Sequence, residues 1–127
     1  MGEKDLAERP TLRLLRASRR VSETVGAVIA EFGLTLDQWL VLELLVDNSG
    51  TGLAMSDIRT DTGLVGATLT RTVDKLVTNA LAHREVDPHD RRRVVMHASR
   101  DGVELYRRSR SAVDASEASV AEVFVSI

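Results

Sequence analysis

The chain contains no cysteine. That excludes disulfides, thiolate nucleophiles and cysteine-based redox sensing. Histidine is scarce too: His83, His89 and His97 lack the spacing of a zinc site and have no thiolate to join them, so no metal is expected. No apolar run approaches membrane-spanning length. The opening "MGEKDLAERP" is charged and lacks the apolar core of a secretory signal. Leu6 stands where a myristoylation signal needs Ser or Thr. There is no glycine-rich phosphate loop and no nucleophile constellation. Asp87 and Asp90 pair carboxylates only in an exposed turn. We therefore expect no enzyme, no cofactor and no membrane association, and a cytoplasmic location.

Hydrophobic residues make up 43% of 127, enough for one domain with a real core. The net charge of -2 does not by itself suggest nucleic acid, but its distribution is uneven. Residues 57–100 hold eight Arg or Lys against six Asp or Glu, whereas residues 33–56 hold three acids and no base. A DNA reader built from this chain depends on local basic patches.

Pro10 suits the first turn of a helix. After it Leu14, Ser18, Val21, Val25, Val28 and Phe32 recur at alternating steps of four and three, and Gly33 ends the run. "TLDQ" reads as a capping box before a helix from about Leu36 to Val46 that is apolar nearly all round and so central. "DNSGTG" is a loop. Ser56 can cap a short helix, "DIRTDT", that Gly63 stops. A second helix, about Val65 to Thr78, docks Val65, Leu69, Val73, Leu76 and Val77. It shows Gly66, Ala67, Thr70, Arg71, Asp74 and Lys75 on its other side. Two short helices joined through a glycine form a helix-turn-helix pattern.

From Leu81 the period changes from helical to two. The segments 81–86 and 93–98 are short, and "DPHD" between them is turn chemistry. The expected product is a hairpin whose tip carries Arg91, Arg92 and Arg93. Ser99 can cap a last helix, along which Gly102, Tyr106, Ser109, Val113, Ser116, Val120, Val123 and Ile127 step by four and three. So long a seam predicts a partner helix.

This order, helix-turn-helix then wing hairpin between two long helices, resembles the MarR family of bacterial transcription regulators. Two stretches carry the resemblance: "LVGATLTRTVDKLVTNALAHR", like the family's recognition helix and wing start, and "DPHDRRRVVMHASRDG", like its wing tip, second wing strand and final cap. Three positions depart from it. Ala98-Ser99 replaces the usual Leu-Thr, and Ala80 stands where Gly is usual, with Asn79 expected to take the left-handed conformation. The chain also stops at Ile127, before a further C-terminal helix.

The resemblance implies a mainly α fold with a small β-hairpin wing. Residues 34–98 form a winged helix-turn-helix lobe, and 10–32 and 99–127 form dimerisation helices. It implies a homodimer, weakened by the early stop, on a pseudo-palindromic double-stranded operator. The expected DNA-contacting residues are Ser56, Gly66, Ala67, Thr68, Thr70, Arg71, Lys75, Asp90, Arg91 and Arg92, with Asp90 holding Arg92 toward the minor groove. It further implies repression relieved by a small aromatic or anionic effector, with Arg13, Arg16 and Trp39 as lining residues. Two rivals remain open at this point: a MarR-like module that binds protein and not DNA, and a ligand sensor without DNA binding.

Overall fold

The computed structural model describes residues 9–123. The N-terminal stretch read above for targeting signals lies outside those residues, as do the seam's last members from Phe124 onward. Contacts divide the chain into two compact units. One comprises the residues up to 36 and from 110, and the other comprises 37–109. The first ten residues of the last helix fall in the same unit as the segment before it.

In the first unit, helix α1 spans Pro10–Ala30, with Pro10 in its first turn and Gly33 at φ 78° just beyond its end. Val25 and Ile29 are its buried residues, while Leu14 and Leu15 at its start remain 51% and 49% exposed. Arg20 reaches Glu122 at 2.6 Å.

The second unit is built on helix α2, Leu36–Asp47, whose Trp39, Val41, Leu42 and Leu45 are buried, as its all-round apolar character requires. A two-residue strand β1, Leu53–Ala54, follows, then α3, Met55–Thr62, and α4, Gly66–Thr78. Strands β2, Ala82–Val86, and β3, Val94–Ala98, complete a three-stranded antiparallel sheet in the order β1-β3-β2. Leu53 pairs Met96, and Val86 pairs Val94 at the mouth of the wing loop. Helix α5 spans Arg100–Ser119. Its start is capped as expected, with the Gly102 N–H donating to Ser99 Oγ at 3.0 Å.

Four local expectations are corrected. Ser56 is not the cap of α3, because the helix begins two residues earlier than expected: Ala54 is the N-cap, and the Asp57 carboxylate accepts its N–H at 3.2 Å. Val65 does not dock; it is the N-cap of α4 and 56% exposed. The left-handed residue after α4 is Ala80, at φ 60°, and not Asn79, at φ -85°. The seam along and just beyond α5 is not open to a partner, since Tyr106, Ser109, Val113 and Ser116 on the helix and Val120 and Val123 past its end are all buried within the single chain. Its serines tolerate burial because each hydroxyl donates to a carbonyl of its own helix, Ser109 to Tyr106 at 2.9 Å and Ser116 to Val113 at 2.8 Å.

Candidate nucleic-acid interface

Three elements set the geometry of the site: α3, the turn at Gly63 (φ 76°), and α4. Leu69, Val73 and Leu76 turn inward and are buried. Each contributes on the order of 2 kcal/mol of hydrophobic stabilisation, which fixes the rotation of α4. That rotation leaves Gly66, Ala67, Thr68, Thr70, Arg71, Asp74 and Lys75 exposed together on the opposite side. Gly66 takes φ 57° at the first helical position, a conformation that L side chains rarely adopt. Thr70 Oγ1 donates to the Gly66 carbonyl at 3.3 Å, leaving its lone pairs to accept. Ser56 is exposed on the second residue of α3.

Strands β2 and β3 project the wing loop, residues 87–93. Two aspartates shape it. Asp87 Oδ1 accepts the His89 N–H at 2.8 Å, and Asp90 Oδ1 accepts the Arg92 N–H at 3.0 Å. The neck closes on Arg93, whose N–H donates to the Asp90 carbonyl and whose carbonyl accepts from Asp87, both at 2.9 Å. Asp90 grips Arg92 mainly through its backbone. The guanidinium contact is long, at 3.5 Å, and the side chain stays 94% exposed. Arg91 is likewise exposed.

Ion pairs that the sequence did not disclose organise this surface. Arg84 on β2 pairs with Asp74 on α4. The pairing masks an acid that would otherwise face phosphates. Arg93 turns away from the tip toward Asp57 at 3.6 Å and Asp87 at 3.9 Å. His97 lies against Glu85 at 3.0 Å and stacks on His83 with ring centroids 5.4 Å apart. Among the described residues no group of three His, Asp or Glu is placed to hold a metal, and no helix is long and apolar enough to cross a membrane.

Of the residues expected to line an effector site, Trp39 belongs to one unit and Arg13 and Arg16 to the other. Trp39 is 2% exposed, its indole N–H donates to Ser109 Oγ at 3.2 Å, and its ring tilts against Tyr106. Its polar atom is hydrogen-bonded and its ring is buried. Arg13 is half-buried and Arg16 exposed, both on α1 in the other unit.

The sequence pattern of the MarR family matches residues 32–93. Among curated proteins none matches the chain significantly. Solved structures do. CouR from Rhodococcus jostii, bound to p-coumaroyl-CoA, is 27% identical with a TM-score of 0.74, covering 82% of this chain and 72% of its own. AbsC from Streptomyces coelicolor, a MarR-family transcriptional regulator, is 22% identical with a TM-score of 0.82, covering 94% and 80%. A complex of Staphylococcus aureus MepR with DNA is 22% identical with a TM-score of 0.76, covering 96% and 84%.

Proposed function

We infer from a chain that belongs, across residues 32–93, to the MarR family of transcriptional regulators that it is itself a sequence-specific DNA-binding regulator. One observation carries the reading. A helix with a wholly exposed polar face and a wing with an almost fully exposed arginine belong to one compact unit. The exposed side of α4 suits a major groove. Gly66 and Ala67 allow close backbone approach, Thr68 and Thr70 present hydroxyls, and Arg71 and Lys75 supply base-edge or phosphate contacts. Ser56 and Arg91 add phosphate contacts. Arg92, with its backbone fixed by Asp90, enters an adjacent minor groove, whose narrow form attracts guanidinium. MepR, of the same fold, is seen on DNA.

The regulator acts as a homodimeric repressor in a bacterial cytoplasm. Support for the dimer comes from α1. Leu14 and Leu15 line, with Ala17, Val21 and Val123, an open apolar groove of about 430 Å³ in the first unit. Exposed apolar surface of this kind marks an association site. Two-fold symmetry presents two recognition helices to half-sites about one DNA turn apart. A small aromatic or anionic effector relieves repression, a reading supported by the acyl-CoA on CouR, with Arg13 and Arg16 as the cations offered to it. The test is a gel shift on the DNA upstream of the chain's own gene, followed by footprinting. Two protected half-sites roughly 10 base pairs apart, centre to centre, are expected. No shift there or in a randomised pool, with protein partners captured instead, favours an interaction module.

A further inference from the structure

We propose that the three consecutive arginines of the wing divide their labour and that Arg93 is a positioning residue, not a DNA ligand: it ties the wing to the first helix of the helix-turn-helix through Asp57. The proposal rests on the DNA-binding reading above and concerns how the wing is aimed. Arg92 projects with 94% of its side chain exposed, whereas Arg93 is 52% exposed and lies within ion-pair distance of two carboxylates, Asp57 at 3.6 Å and Asp87 at 3.9 Å. Both of these acids are already fixed. Asp57 accepts the Ala54 N–H at the start of α3, and Asp87 accepts the His89 N–H inside the wing turn. The Arg93 backbone is fixed as well, by the two hydrogen bonds that close the wing neck. The guanidinium thus spans two preordered anchors, one on the wing and one on the helix-turn-helix. Little further ordering entropy is lost in holding it there.

This geometry gives an acid on the DNA-binding lobe a role opposite to its charge. Removing a carboxylate near bound DNA ordinarily strengthens binding by relieving repulsion with phosphate. Here the loss of the Asp57 charge frees the wing and weakens binding. Exposed ion pairs are individually weak, so the expected effect is about three-fold in affinity and not orders of magnitude.

The test uses Arg93→Ala, Asp57→Asn and the double variant. The asparagine keeps an oxygen to accept the Ala54 N–H while removing the charge. Each is titrated against a labelled duplex selected by the wild-type protein from a randomised pool, at salt from roughly 50 to 200 mM. Amide hydrogen exchange of residues 89–92 is measured without DNA. Each single change should lower affinity about three-fold, and the double no further, since the two residues act through one contact. The log-log salt slope should stay at the wild-type value, and exchange in the wing should quicken in all three. A slope reduced by about 0.9 in Arg93→Ala, with Asp57→Asn binding as tightly as wild type or tighter, makes Arg93 a phosphate ligand and overturns the proposal. Unchanged exchange in the free protein overturns it too. If the wild type selects no duplex, the exchange measurement still decides the tether, and only the DNA-binding reading falls.

Discussion

Gly102 sits in the first turn of α5, where the helix passes against the end of the helix-turn-helix. A Cβ added to it would collide with the Leu81 carbonyl oxygen and lie 3.0 Å from the carbonyl carbon and 3.1 Å from Leu42 Cδ1. The first contact is to backbone, so no side-chain rotation relieves it. That carbonyl also accepts the Ser99 N–H at 2.9 Å, and Ser99 Oγ in turn donates to the Ala80 carbonyl at 2.7 Å and caps Gly102. Gly102→Ala must therefore push apart the junction that joins the recognition helix, the wing and α5. Overpacking costs about 1–3 kcal/mol, and the strained hydrogen bonds add on the order of 1 kcal/mol. Against this, Gly→Ala within a helix contributes a gain of about 1 kcal/mol. The net loss should be about 1–3 kcal/mol, a fall of roughly 4–12 °C in melting temperature for a chain of this size. Thermal unfolding followed by circular dichroism, at one protein concentration, measures it. A melting temperature within about 1 °C of wild type would show that the close approach is absent and would refute the packing described at this junction.

Ala80→Gly should stabilise the protein by about 0.5–1 kcal/mol in urea titrations, because relief of the left-handed backbone outweighs the greater freedom of glycine in the unfolded chain; a loss of stability would contradict the φ assigned to Ala80. Arg92→Ala should weaken operator binding about ten-fold or more while leaving the melting temperature within roughly 2 °C; wild-type affinity would remove Arg92 from the interface. Val113→Asp should unfold the chain, since it buries an unpaired charge at a site with no exposure. Leu14→Asp with Leu15→Asp should instead leave circular dichroism intact and shift sedimentation from dimer to monomer. If Leu14→Asp with Leu15→Asp leaves the dimer whole, α1 does not form the interface.

The long-period features were legible in the sequence, and the short and relational ones were not. The α2 core, the inward stripe of α4, the wing hairpin and the Ser99 cap all follow from spacing and capping chemistry that a few neighbouring residues specify. Strand β1 did not, because two residues carry no alternation to detect. The seam of α5 was visible, but its partner was not, since apolar periodicity states that a face is buried and not what buries it. The hydrogen bond from Trp39 to Ser109, seventy residues away in sequence, was not legible either. The contrast between Arg92 and Arg93 is of the same kind: the fold brings Asp57, distant in sequence, to Arg93, whereas Arg92 meets its near neighbour Asp90.

The most direct test of the central claim, that α4 and the wing bind a duplex through local cations on an acidic protein, is the salt dependence of DNA binding. Arg71, Lys75, Arg91 and Arg92 are the exposed cations of each protomer assigned to DNA. If about three of them neutralise phosphates, the log-log slope should be near -2.7 per protomer and about twice that for a dimer. A slope of that size on a selected duplex is the predicted result; a flat slope from roughly 50 to 200 mM salt would contradict the account.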